Sequence, residues 1–194
     1  IDAFLSGLRK DIIVFFDEAY YEFAKDYRGY PDTLKYLRAK RNVIITRSFS
    51  KAYSLAGLRI GYGIASKELI NAMNKVREPF NVNSLAQVAA RAALKDHTFV
   101  ERSKEFVNMG KEFLYKQLDS LNIEYIPSAT NFILIKIGKD APNIYGKLLN
   151  NGVIVRNMSS WGLTDCLRVT VGTMKENMKF INTLKKIICL ALSA

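Results

Sequence analysis

Residues 43–65 read VIITRSFSKAYSLAGLRIGYGIA. Val43-Ile44-Ile45-Thr46 is a β-branched apolar run and reads as a buried strand. Ile60-Gly61-Tyr62-Gly63-Ile64-Ala65 reads as another, with glycines where something packs closely. The polar segment between them follows a buried strand, so it lies at that strand's carboxyl end. Open α/β sheets bind their ligands there. Upstream, Ile12-Ile13-Val14-Phe15-Phe16 is a continuous apolar run, which predicts a strand buried on both faces of a parallel sheet. A helix over about residues 31–40, with Pro31 near its first turn, joins that run to Val43. Strand, helix and strand make the class α/β.

Downstream the pattern changes. Asn83 or Ser84 caps a helix to about Lys95, whose alanines at 86, 89, 90, 92 and 93 permit close packing. A second amphipathic run carries Phe99, Phe106, Met109, Phe113 and Leu118. Together they read as a bridge into a smaller α+β domain, with the boundary between 85 and 86. That domain has a strand at Phe132–Ile135 and a helix from Pro142 to Asn151, with Gly152 at its C′ position. Further strands are expected at Val153–Val155 and Leu167–Val171, and a last helix over about 175–190. His97 reads as a helix-end residue, and Trp161 as core or rim packing in a loop near Arg156 and Arg168.

Composition narrows the class. With 194 residues, 49% of them apolar, the chain can bury a core and is not a disordered segment. Its longest apolar candidate, Ile187–Leu192, is too short for a membrane span and reads as the end of a buried helix. The opening residues do not read as a signal peptide. Two cysteines and one histidine leave little for zinc, so no metal site is expected, and they fit a reducing cytosol. The net charge of 29 − 18 = +11 raises nucleic acid as a partner. The cations are spread, however, and the densest group (Lys35, Arg38, Lys40, Arg41) reads as a solvated helix end. No nucleic-acid or membrane partner is expected.

Chemistry concentrates between Ser48 and Arg59. Ser48, Ser50, Lys51 and Arg59 place two hydroxyls, an amine and a guanidinium on one segment. Hydroxyls and a forked guanidinium suit a phosphate. A lysine beside them is suited to forming a Schiff base with an aldehyde cofactor. The first strand ends in Asp17-Glu18-Ala19-Tyr20, on the same edge of a parallel sheet. An amine, an acid and phosphate donors are the set that pyridoxal phosphate requires. Arg168, inside an apolar run, needs a partner or a ligand.

Five stretches carry a resemblance: DEAYYEF at 17–23, SFSKAYSLAGLRIGYG at 48–63, TNFILIKI at 130–137, GVIVRNM at 152–158 and CLRVTVGT at 166–173. With them the chain resembles the histidinol-phosphate aminotransferases, fold-type-I enzymes that use pyridoxal 5′-phosphate. The likeness implies that residues 1–85 belong to the cofactor-binding large domain, a mostly parallel sheet with helices. Residues 86–194 would be bridging helices and the small domain. It implies that Lys51 joins the cofactor and moves the proton at substrate Cα. Asp17 would pair with the ring nitrogen and Tyr20 with the ring hydroxyl, while Ser48, Ser50 and Arg59 hold the cofactor phosphate. Arg168 would clamp a substrate α-carboxylate and Arg156 the phosphorylated end.

The same resemblance implies transamination between L-histidinol phosphate and 2-oxoglutarate in histidine biosynthesis, by a cytoplasmic homodimer. It also implies an upstream half absent from these residues, so that the 194-residue chain alone is expected to be inactive. An aromatic amino-acid aminotransferase, a phosphothreonine decarboxylase and a non-catalytic module derived from such an enzyme are the competing readings.

Overall fold

The computed structural model describes residues 1–192, and side chains as far as Cys189. It divides into two compact units, Ile1–Ser103 and the residues from Lys104 on.

In the first unit, α1 (Asp2–Gly7) precedes β1 (Val14–Asp17), and α2 (Tyr21–Ala24) and α3 (Leu34–Arg38) lead to β2 (Val43–Ser48). β3 (Gly61–Ala65), α4 (Lys67–Val76) and α5 (Ser84–Ala93) follow. The sheet order is β1-β2-β3. β1 and β2 are parallel, with Asp17 opposite Thr46. β2 and β3 are antiparallel, with Ser48 opposite Gly61. A parallel return needs a crossover, usually helical, and the 49–60 loop holds only a short 3-10 turn at Ala56–Leu58. The sheet is therefore mixed.

Within these 194 residues the first strand is covered on one face only. Along β1 burial alternates, and Phe15 is 59% exposed. β1 pairs only with β2, and it packs on one side alone. Val14 and Phe16 lie against Leu5, Tyr36 and Val43, with the Phe16 and Tyr36 rings stacked at 5.9 Å. Ile12 and Ile13 precede the strand and are exposed. The expected 31–40 helix is shorter, because Asp32 Oδ1 accepts the Leu34 N–H and starts it late. The basic group beside it is solvated, as expected, and three of its members also find partners. Lys35 pairs with Asp2, Arg38 with Asp32, and Arg41 donates to the Leu5 carbonyl.

Asn83 caps α5 as expected, its Oδ1 accepting from Ala86 N at 2.8 Å, and Ala86 and Ala90 are buried. Helix α4, which the sequence reading missed, has the same logic: Ser66 Oγ accepts from Leu69 N.

Helix α6 (His97–Ser120) spans the division between units and opens on His97. Beyond it come β4 (Glu124–Ile126), β5 (Phe132–Lys136), α7 (Ala141–Asn150), β6 (Arg156–Asn157), β7 (Cys166–Thr170) and α8 (Met174–Leu192). The antiparallel sheet runs β4-β5-β7-β6. One face of it, with Ile133, Ile135, Leu167 and Val169, packs on Leu114, Leu118, Leu148, Ile181 and Leu184. Gly152 ends α7 at φ +68°, as its position required. The strand expected at Val153–Val155 does not form. Val153 turns into the core, Ile154 is 84% exposed, and pairing begins only at Arg156. Trp161 is 68% exposed on a 3-10 turn, so it is not the packed residue expected. In α8, Ile187 is buried; the apolar side chains beyond Cys189 lie outside the described residues. Among the described residues no helix is long and apolar enough to cross a membrane, and no group of potential ligands could hold a metal ion.

Candidate active site

The first unit brings Asp17, Tyr20, Ser48, Ser50 and Lys51 to one edge of its sheet. Register does this: Asp17 ends β1 beside Thr46, and the Glu18 N–H extends the ladder to the Thr46 carbonyl at 2.8 Å. Asp17 Oδ1 accepts from Ala19 N at 3.0 Å, which fixes the carboxylate where the strand stops. Ser48 Oγ accepts from Ser50 N at 3.0 Å and turns the chain so that Lys51 follows. Lys51 Nζ lies 5.2 Å from the centroid of the Tyr20 ring and makes no ion pair among the described residues.

Arg59 joins the same edge from the far side of the loop, since Gly61 lies opposite Ser48 and Phe49 N bonds the Ile60 carbonyl. Its backbone is left-handed, φ +52°, and its Nη1 donates to the Ala56 carbonyl at 2.8 Å. Close packing of glycine holds for Gly61, where a Cβ would meet the Arg47 carbonyl at 2.8 Å. At Gly63 the nearest atom is at 4.0 Å, an ordinary contact. An amine, two hydroxyls, a guanidinium, a carboxylate and a phenol thus converge on one edge. That donor set fits a phosphorylated aromatic aldehyde with a basic ring nitrogen.

Beneath this edge lies a buried network to which the sequence reading gave no role. Glu18 and Arg47 form an ion pair at 2.9 Å, their side chains only 4% and 10% exposed. The Thr33 hydroxyl donates to Glu18 at 2.7 Å, and the Arg47 guanidinium sits 3.3 Å from the Tyr21 ring centroid. The pair ties the ends of β1 and β2 together, the two strands that carry Asp17 and Ser48. Glu22 is also buried, with no hydrogen-bond partner for its Oε2. Loss of water pushes its carboxyl above the ordinary value, against the pull of Arg47. Burial, with Glu22 nearby, pushes the Tyr53 phenol up to about 12. Tyr53 packs on Phe49 with ring centroids 4.9 Å apart, closing the floor of the lysine loop. The signal for this network was two charges flanking apolar strands, which are costly to bury unpaired.

Arg156 and Arg168 belong to the second unit, where they are opposite each other on β6 and β7. Both stand on the sheet face away from the core. Arg156 is exposed and Arg168 half-buried. Among the described residues neither makes an ion pair or a hydrogen bond. Arg168 lies against the Phe132 ring, 5.0 Å from its centroid. Like charges directly opposite on antiparallel strands repel. An anion placed between them would remove that cost.

A model of aminotransferase class I and II matches residues 5–184. The chain belongs to this family. It is 45% identical to a histidinol-phosphate aminotransferase of Carboxydothermus hydrogenoformans, over 97% of the chain and 52% of the relative. It is 48% identical to the enzyme of that name from Moorella thermoacetica, over 97% of the chain and 49% of the relative. Among solved structures, histidinol-phosphate aminotransferase from Sinorhizobium meliloti, in complex with pyridoxal 5′-phosphate, superposes with a TM-score of 0.85. It shares 29% identity over 95% of the chain and 52% of that structure. The chain spans about half the length of the curated relatives it matches. The family places the mixed α/β unit in the fold-type-I class, as expected from the motifs.

Proposed function

We propose that the protein is an aminotransferase that exchanges an amino group between L-histidinol phosphate and 2-oxoglutarate, in histidine biosynthesis. The observation that carries this reading is the opposed, unpartnered pair of Arg156 and Arg168. Directly opposite residues in an antiparallel pair have Cα atoms only about 4.5–5.5 Å apart. Both guanidiniums can therefore reach one anion. Arg168 clamps the α-carboxylate of the oxo acid. L-Histidinol phosphate carries a phosphate ester where an amino acid has its carboxylate, and Arg156 adds the second charge that this dianion needs.

Pyridoxal 5′-phosphate is the cofactor. When bound, it supplies the electron sink that makes substrate Cα–H acidic. Lys51 Nζ would be the amine that holds the cofactor through its aldehyde and, once released, the base that takes the proton from Cα. Asp17 would hold the proton on the ring nitrogen, Tyr20 would donate to the ring oxygen, and Ser48, Ser50 and Arg59 would bind the phosphate. Residues 1–85 serve as the C-terminal part of the cofactor domain, and 86–194 as bridging helices and small domain. The working form is a cytoplasmic homodimer.

Steady-state kinetics of the full-length protein test the substrate. R156A should raise KM for L-histidinol phosphate at least about tenfold, the scale of a charge-assisted hydrogen bond, and leave phenylalanine nearly unaffected. Equal losses would favour an aromatic aminotransferase. Borohydride reduction and peptide mapping test the centre: a pyridoxyl adduct is expected on Lys51, and its absence would favour a non-catalytic module.

A further inference from the structure

The sheet face that carries Arg168 also carries Phe132. Thr170 is the cross-strand partner of Phe132, and Leu134 that of Arg168, so Phe132 and Arg168 are diagonal neighbours on β5 and β7. Long and aromatic side chains reach across such a diagonal. The neighbours of Phe132 in sequence point the other way: Ile133 belongs to the core and is fully buried. Phe132 is half-buried outside that core, with the Arg168 guanidinium 5.0 Å from its ring centroid.

The backbone that carries the ring is held by the turn before it. The Thr130 hydroxyl bonds both the Phe132 carbonyl, at 3.2 Å, and the Phe132 N–H, at 3.3 Å. Thr130 Oγ1 is 2.8 Å from Ser128 Oγ. Helix α6 anchors this turn at two points. The buried Lys111 donates to the Ser128 carbonyl at 2.9 Å, and the Tyr115 hydroxyl accepts the Ser128 N–H at 2.9 Å. Two residues on α6 thus fix the turn from which the ring projects.

We propose that Phe132 is a positioning residue that orients Arg168 for its anion without neutralising it; this rests on the reading of Arg168 as part of the substrate seat. A carboxylate in the same place would also fix the guanidinium, but it would compete with the incoming ligand. An aromatic face attracts the cation through its quadrupole and leaves the N–H edge and the full charge available. Phe132 therefore sets the affinity for the substrate phosphate or carboxylate while touching neither.

Inorganic phosphate titrated into full-length protein saturated with pyridoxal phosphate, and followed by ³¹P line width, tests this. F132L keeps apolar bulk and loses the π face. It should weaken phosphate binding about three- to tenfold, the scale of a half-buried cation–π contact, whereas F132Y should bind like wild type. A series of ring-fluorinated phenylalanines at 132 keeps the shape and drains the ring face, and affinity should fall stepwise with fluorination. A structural role alone would leave that series flat, and a flat series overturns the proposal even if F132L folds poorly. R168A separates the two levels. If R168A binds phosphate like wild type, the substrate-seat reading fails. If R168A loses binding and the fluorinated series does not, only the positioning role fails.

Discussion

Arg47 and Arg168 are both strand arginines lying against an aromatic ring, and the structure treats them in opposite ways. Arg47 stacks on Tyr21 and is closed off by Glu18 at 2.9 Å. Arg168 stacks on Phe132 and has no carboxylate among the described residues. Its cross-strand neighbour is another arginine. One cation is consumed by the fold, and the other is kept available. The difference separates a charge that the fold closes off from one that it leaves open in a basic chain. The informative property is the missing partner, since position on a strand and contact with a ring are common to both.

Substitutions that remove or create partners can break this contrast. The largest effect is expected in the first unit. R47M or E18Q leaves one buried charge or acceptor uncompensated and should cost about 3–5 kcal/mol of stability, measured by urea unfolding. R168M in the second unit should cost no more than about 1 kcal/mol, since it removes only the contact with the Phe132 ring. Equal costs for the two would erase the distinction.

An intermediate effect comes from giving Arg168 the partner it lacks. Leu134 is its direct cross-strand neighbour. L134E should pair with it, change stability by only about 0.2–1 kcal/mol, and abolish most phosphate affinity. Retained affinity would mean that the charge of Arg168 is not what binds.

The smallest effect concerns Glu22. Its carboxyl lies above the ordinary value of 4.5 because burial disfavours the charge. An acid whose pKa is raised by folding binds protons more tightly in the folded state. Its stabilisation is complete below the ordinary value and is lost as pH rises through the raised one. E22Q should flatten that part of the stability–pH curve, and unchanged curvature would place the titration elsewhere.

Local features were read correctly where local chemistry decides them. Asn83 starts a helix with its own side chain, and Gly152 ends one by adopting φ +68°. The place of the lysine loop at the sheet edge was legible because its polar groups are contiguous from Ser48 to Arg59. What failed depends on distant neighbours. The run at Ile12–Phe16 is apolar throughout, yet whether both faces are covered is decided by what packs there, and Phe15 stays exposed. Val153–Val155 has strand composition, but a strand also needs a ladder partner. Glu18 and Arg47 are 29 residues apart, and only the parallel register of β1 and β2 brings them together. Arg156 and Arg168 were each identified, but their opposition is a matter of register that neither motif contains.

The left-handed backbone at Arg59 bears on redesign. A non-glycine residue in that conformation costs on the order of 1 kcal/mol or more, which glycine would recover. A designer scoring stability alone would write glycine at 59 and obtain a better-folded chain without the guanidinium proposed for the cofactor phosphate. On the role proposed for Arg59, the most stable amino acid at this position and the most useful one are different. Automated stabilisation of the protein must therefore exempt it.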